Sequence, residues 1–303
     1  MSVDIAVIPV AGRGTRLLPL TKSQPKEMLP LGRRPVVQFV VEELFHCNVH
    51  RMVLVTGPGK TAIENHFDID SELIDHLRST GKEDQLAELA FERDEIQYFY
   101  TRQRQQLGLG HAVLCAESLV REPFVVALGD SVLGRNAQSL AVRRMVDLFE
   151  RNSADAAICF REVPIEQVVR YGIAQPAAVE IAGMNPAECF VLEDIVEKPT
   201  VAEAPSQLAV AARYVFRPQI FEYLHRTEPG RNGEIQLTDA IRAMIRDGGR
   251  VLGLRLTDTD VRFDIGNFQS YYRAFTEFAL SDPFCGEDFE RWLRQRLIQN
   301  ENG

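Results

Sequence analysis

The chain reads as an α/β protein, with a mostly parallel central sheet flanked by helices and a smaller β-rich layer. Three observations carry that reading. Apolar runs at Ile5 to Val10, Arg51 to Thr56, Glu95 to Tyr100 and Phe124 to Leu128 alternate with helical stretches, the pattern of parallel strands joined by crossovers. Polar or glycine clusters follow three of these runs, at Gly12, Gln103 and Asp130, and ligands of open α/β sheets sit past the carboxyl ends of strands. From Ala156 onward strand-like runs dominate, so a mixed sheet or β-rich layer is expected to pack on the first half.

The elements follow in order. Ile5 to Val10 stops at Ala11-Gly12, which predicts a buried strand feeding a tight turn. Pro35 opens a helix through Leu44 with proline in its first turn. After the strand at Arg51 to Thr56, polar helical stretches over Lys60 to Phe67 and Ser71 to Glu92 form a surface excursion. Gly108-Leu109-Gly110 turns the chain into a helix over Ala112 to Ser118. Strands are expected at Ala156 to Val163, Gly172 to Val179, Phe190 to Val196, Ala209 to Phe216 and Arg250 to Leu256. A helix follows Pro218 and another spans Gln236 to Arg246. Phe268 to Leu280 and Phe284 to Leu297 are amphipathic helices with core-like aromatic spacing, one of which is expected to cover a subunit partner.

Of the 303 residues 45% are hydrophobic, enough for a large core. A net charge of −9 disfavours nucleic acid and anionic membranes, so a phosphate site must be a local basic focus. Five scattered cysteines (47, 115, 159, 189, 285) form no C-x-x-C pair and read as free thiols of a reducing compartment. His46-Cys47 and His50 have no second ligand cluster and read as solvated helix-end residues. No apolar run reaches the ~20 residues that span a bilayer, and the first strand begins within a few residues of Met1. A cytoplasmic location is expected.

The chemistry concentrates at Ala11-Gly12-Arg13-Gly14-Thr15-Arg16 and Pro25-Lys26-Glu27. Glycines at such a turn let backbone N–H groups approach an anion. Arg16 and Lys26 add cations, and Pro25 and Pro30 stiffen the second segment. The dinucleotide fingerprint fails, because its last position is Leu17 and no acid follows the second strand; the P-loop fails because Gly59-Lys60-Thr61 would need a glycine at Leu54. A glycine turn with two placed cations reads as a nucleoside triphosphate site, with an ordinary strand-to-helix turn as the alternative for Gly12 and Gly14. Asp130 and Asp264 each follow an apolar run, where a carboxylate can face a ligand crevice; a turn residue and a helix-start residue are the respective alternatives.

These residues resemble a known family. Ala11-Gly12-x-Gly14-Thr15-Arg16-Leu17-Leu18-Pro19-x-Thr21-Lys22-x-x-Pro25-Lys26-Glu27-Met28-Leu29-Pro30 is similar to the signature of the sugar-1-phosphate nucleotidylyltransferases, in particular those that use UTP and glucose 1-phosphate. Gly108 to Ala112, Glu197-Lys198-Pro199, Gly233 to Asp239 and Phe263 to Asn267 agree in the same order. The resemblance implies a Rossmann-like nucleotidyltransferase fold over 1–303: a mainly nucleotide-binding half at 1–150, a mainly sugar-phosphate half at 151–266 and C-terminal helices at 267–303.

It implies uridylyl transfer from UTP to glucose 1-phosphate, with Asp130 and Asp264 binding Mg²⁺. Lys26 and Arg16 would hold UTP phosphates and Lys198 the sugar phosphate. Ala11, Gly12, Gly14 and Thr15 would offer backbone or hydroxyl groups to the nucleotide. Gln103 would pair with the uracil imide edge, Gly108 would leave room for the pyrimidine ring, and Gly172 and Glu197 would meet the hexose. His111 is expected to be a helix-start residue bonded to backbone, since the reaction lacks an obligatory proton transfer. A homo-oligomer is expected. The alternatives are a dTTP- or other-hexose-using nucleotidylyltransferase, and a non-catalytic nucleotide-sugar-binding paralogue that regulates a partner. Two departures stand out: Ala212 precedes Arg213-Tyr214-Val215 where the family usually has glycine, and Asn267 to Tyr271 replaces a Lys-Leu-Gly-Tyr-like stretch.

Overall fold

Strand β1 (Ile5–Pro9) lies inside a nine-stranded sheet. The computed structural model describes residues 3–301, apart from 90, 92–94, 136, 180, 182 and 231–232. Glu92, the expected end of the polar helical stretch, lies outside them. After β1 come a short ribbon of β2 (Pro30–Leu31) and β3 (Arg34–Pro35), helix α1 (Val36–His46) and β4 (Arg51–Thr56). The excursion is α2 (Thr61–Phe67), α3 (Ser71–Ser79) and α4 (Glu83–Ala87), followed by β5 (Gln97–Arg102), α5 (Leu109–Leu114), β6 (Phe124–Ala127), β7 (Ser131–Leu133) and α6 (Ala141–Arg151). The second half holds β8 (Ala156–Glu162), β9 (Gly172–Pro176), β10 (Cys189–Glu197), β11 (Leu208–Phe216), α7 (Ile220–Arg226), α8 (Leu237–Arg246), β12 (Val251–Arg255), β13 (Arg262–Asp264), α9 (Phe268–Leu280) and α10 (Gly286–Glu301).

The sheet order is β5-β4-β1-β6-β11-β8-β12-β10-β9. Strands β5, β4, β1 and β6 are parallel, as alternation of strands and helices demands. Beyond β6 the mixed-sheet alternative holds, while the mostly parallel sheet and the separate β-rich layer are corrected: one mixed sheet is continuous through both halves. β11 enters antiparallel to β6, with Tyr214 opposite Val126, and only β12–β8 is parallel in the second half. The physical reason is β11 itself. Its nine residues are all buried, as a strand covered on both faces requires, so the second half extends the first sheet instead of stacking on it.

Two apolar cores fill the two faces. One gathers α1, α6 and α9 residues such as Phe39, Met145 and Phe278; the other gathers α5, α7 and α8 residues such as Val113, Phe221 and Ile241. The changed stretch at Asn267 has a local explanation. The Asn267 side chain accepts from the Ser270 amide at 3.0 Å and Ser270 Oγ accepts from the Asn267 amide at 3.3 Å, a reciprocal cap that starts α9. The core-like reading holds for α9, which buries Tyr271, Ala274 and Phe278. It is corrected for α10, where Trp292 and Leu297 are each 56% exposed. Cys47 is also not solvated: it turns inward at the end of α1, and burial pushes its thiol up to about 11. No described helix is long and apolar enough to cross a membrane.

Candidate active site

The carboxyl ends of β1, β5 and β6 open into a cleft of about 490 Å³. It brings together Ala11, Gly12, Arg16, Lys26, Gln103, Gly108, Asp130, Gly172, Glu197 and Lys198, from segments up to 187 residues apart in number (198 − 11). Gly14, Thr15 and Asp264 do not line it. Gly14 shapes the turn: its φ of 66° is left-handed, a conformation glycine adopts without a Cβ clash, and its carbonyl accepts from Thr21 Oγ1 at 2.8 Å. Thr15 opens the short 3₁₀ turn that carries Arg16.

Lys26 is held as the two prolines predict. Its Nζ donates to Asp130 Oδ2 at 2.5 Å, with side-chain exposures of 16% and 21%. Burial alone would lower the Lys26 amine, but the charges of Asp130 and Glu27 reverse that and raise it. Burial alone would raise Asp130, and the Lys26 charge and hydrogen bond bring it below the ordinary carboxylate value. Lys26 is therefore a fixed cation and Asp130 a fixed anion at neutral pH. Beneath them Glu27 is fully buried and accepts from Lys60 Nζ at 2.7 Å. That pair anchors the Pro25 to Pro30 segment from below, a role the sequence reading did not assign to Glu27.

Asp264 reaches the same region through strand pairing. β13 runs antiparallel to β7 with Asp264 opposite Ser131, and the Ile265 amide donates to the Asp130 carbonyl at 3.1 Å. The backbone of Asp264 thus runs beside the segment that follows Asp130, and its carboxylate accepts from Arg262 Nη2 at 3.3 Å. The described residues contain no group of three or more His, Cys, Asp or Glu that could hold a metal. Two neighbouring carboxylates fit Mg²⁺, which takes its other ligands from phosphate and water.

The Gln103 end of the cleft is more tightly fixed than expected. Gln103 is 3% exposed. Its Nε2 donates to the Gly108 carbonyl and to His111 Nδ1, both at 3.0 Å. Both amide hydrogens are spent within the protein, which leaves Oε1 as the acceptor for an N–H donor. His111 therefore does not bond backbone through Nδ1; it fixes the Gln103 amide, and burial holds its imidazole below the usual value. Gly108 has φ +94°, and a Cβ there would meet the Ile235 carbonyl at 2.8 Å. Its missing methyl accommodates the 234–235 backbone rather than a ligand ring.

At the opposite end Thr238 Oγ1 donates to Glu197 Oε2 at 2.8 Å, and Lys198 Nζ lies 3.0 Å from Glu197 Oε1. Gly172 faces Thr238, with 3.0 Å from a notional Cβ to its hydroxyl. Gln106, Tyr171, Glu234, Gln236, Thr238 and Arg262 also line the cleft and were missed. Gln106 donates to the Ala11 carbonyl at 2.7 Å. The Gly233 to Asp239 motif was a signal for Glu234, Gln236 and Thr238; Arg262 had one too, two positions before Asp264 on the same strand face.

A glycine turn at the end of a parallel strand, with fixed cations and the Asp130 carboxylate in one cleft, suits phosphate esters of nucleotides. The chain belongs to the nucleotidyl transferase family, matched over residues 5–280. It is 38% identical over 291 residues to the UTP–glucose-1-phosphate uridylyltransferase of Staphylococcus epidermidis, covering 96% of this chain and 97% of that one. Among solved structures it is similar to UTP-bound UGPase from Acinetobacter baumannii, at 38% identity and TM-score 0.85 over 96% of this chain and 98% of that one. It is also similar to a UDP-glucose pyrophosphorylase complexed with UDP-glucose, at 34% identity and TM-score 0.81 over 92% and 100%.

Proposed function

We propose that this chain is a UTP–glucose-1-phosphate uridylyltransferase. A phosphate oxygen of glucose 1-phosphate attacks the α-phosphorus of UTP, the bond from that phosphorus to the β-phosphate bridging oxygen breaks, and UDP-glucose and pyrophosphate form. The attacking oxygen is ionised at neutral pH, so the protein supplies no general base. Its task is to hold two polyanions together and to carry charge on the departing pyrophosphate. The observation that supports this reading best is that one cleft is lined by Lys26, Arg16 and Lys198 together.

Lys26 sits against the α-phosphate, and Arg16 takes the β and γ groups. The backbone at Ala11, Gly12 and Gly14, with Thr15, shapes the cradle; Gly14 and Thr15 act by setting the loop. Gln103 Oε1 accepts from the imide N–H of uracil, an arrangement that rejects cytosine, whose ring nitrogen there carries no hydrogen. Gly108 contributes its backbone beside the base. Gly172 and Glu197 meet the hexose, and Lys198 its phosphate. Asp130 and Asp264 would hold Mg²⁺, which when bound supplies charge neutralisation on the phosphates. In this reading 1–303 is one nucleotidyltransferase domain divided at 150 and 266 as the sequence implies. The exposed face of α10 is where a homo-oligomer partner would rest, and the enzyme works in the cytoplasm.

Turnover tests the reading. The chain is mixed with glucose 1-phosphate and UTP, dTTP, CTP or ATP, with Mg²⁺ or EDTA, and pyrophosphate release is followed. UTP with Mg²⁺ is expected to give the highest kcat/KM and EDTA to abolish it. Highest kcat/KM with dTTP would replace the substrate, and nucleotide-sugar binding without turnover would favour the regulatory paralogue.

A further inference from the structure

Lys198 is a weak sole partner for a sugar phosphate. Its side chain is 52% exposed and already lies 3.0 Å from Glu197, and a lysine ammonium is a mobile, strongly hydrated charge. A better-placed cation stands in the same cleft. Arg262 is 6% exposed. Its Nε donates to Ser131 Oγ at 2.8 Å and its Nη2 to Asp264 Oδ1 at 3.3 Å. The guanidinium lies 5.5 Å from the centre of the Tyr171 ring, within cation–π range.

Arg262 is not the sole cation at this place. A second guanidinium, Arg161, lies 5.7 Å from the same Tyr171 ring. Its Nε is buried without a hydrogen-bond partner. Burial and the repulsion of Arg262 hold Arg161 below its usual value, and Asp264 is the carboxylate that offsets both arginines. An anion beside Tyr171 would relieve that repulsion. Tyr171 and Arg262 both line the cleft, together with Gly172 and Lys198.

We propose that Arg262, clamped by Ser131 and the Tyr171 ring, is a catalytic residue that binds the phosphate of the hexose 1-phosphate, with Tyr171 as its positioning residue. The proposal rests on the uridylyltransferase reading for the identity of the ligand. A planar guanidinium presents a fixed fork to phosphate oxygens, so Arg262 would fix the direction of attack while Lys198 adds charge from the rim.

The test compares UDP-glucose with UMP by calorimetric titration, because only UDP-glucose carries the sugar-side phosphate. Arg262→Gln is expected to weaken UDP-glucose about 10- to 100-fold, the worth of a charge-assisted hydrogen bond, and to leave UMP within about twofold. In turnover the KM for glucose 1-phosphate should rise while that for UTP stays nearly constant. Tyr171→Phe should behave like the parent and Tyr171→Leu should show part of the Arg262→Gln defect. Equal weakening of both ligands, or of neither, overturns the proposal. Should Arg262→Gln fail to fold, Arg262→Lys serves: a severalfold loss confined to UDP-glucose supports the proposal, and a parent-like titration refutes it. A parent that binds UDP-glucose through Arg262 yet turns nothing over would sink the enzymatic reading and leave this site standing.

Discussion

Removing the Lys26 amine should separate catalysis from stability. In Lys26→Ala the Asp130 carboxylate loses a partner 2.5 Å away, while Glu27 keeps Lys60 at 2.7 Å. Breaking a fully buried ion pair costs roughly 3–5 kcal/mol. This one is 16% and 21% exposed, so water can reach the orphaned carboxylate and about 1–3 kcal/mol is expected. For a chain of this size that lowers the melting midpoint by only several degrees, and the protein stays folded at 25 °C. The catalytic loss is larger. One preorganised donor to developing charge is worth about 2.7–4 kcal/mol, or roughly 10²–10³ in kcat. Pyrophosphate release, coupled to inorganic pyrophosphatase and phosphate detection, reads kcat; urea unfolding reads stability. The double variant Lys26→Ala/Asp130→Asn should recover part of the stability, because the orphaned charge is gone, and none of the activity. Lys26→Ala with kcat within about fivefold of the parent would refute the role assigned to Lys26.

Three further outcomes follow from particular contacts. Gln103→Leu removes the imide acceptor and should lower kcat/KM for UTP about tenfold or more while narrowing its margin over CTP, read in the nucleotide panel. Ala212 has φ +63°, and the strain of that left-handed conformation, about 1–2 kcal/mol, exceeds the chain-entropy cost of glycine, about 0.4–1 kcal/mol; Ala212→Gly should raise the urea midpoint, and a loss above about 1 kcal/mol would contradict this. Burial lowers His66 from 6.5 to about 4, and its Nε2 lies 3.0 Å from Gln38 Oε1. The unfolded chain therefore binds a proton that the folded chain excludes, and stability falls as pH drops from 6.5 toward 4. Between pH 7 and 5 the parent should lose on the order of 1 kcal/mol more than His66→Gln, by urea midpoints.

Much of the site was legible because its signals are local. A glycine turn after an apolar run, and a lysine between prolines, keep their meaning wherever the rest of the chain goes. The direction of β11 was not legible: a continuous apolar run reports burial on both faces and says nothing of whether its neighbour runs parallel. The nearness of Asp264 to Asp130 depends on the β13–β7 pairing across 133 positions (264 − 131), which two short strands do not announce. Gln103 lines the cleft, but its amide hydrogens go to Gly108 and His111, and only the fold shows that its carbonyl is what remains. α10 was misjudged because aromatic spacing marks an apolar face without saying what covers it. Ala212 turned out to occupy a left-handed position within β11, where the register shifts between Val210 and Tyr214; that is a physical reason for glycine there.

Uridylyl transfer here requires both anionic groups to meet between fixed charges in one cleft, and a crystal structure of this chain with UDP-glucose and Mg²⁺ examines that directly. The uracil should lie beside Gln103, the two phosphates between Lys26 and the Lys198–Arg262 end, and the metal against Asp130 and Asp264. Phosphates bound away from Lys26 and Asp130, or a nucleotide sugar seated outside this cleft, would contradict it.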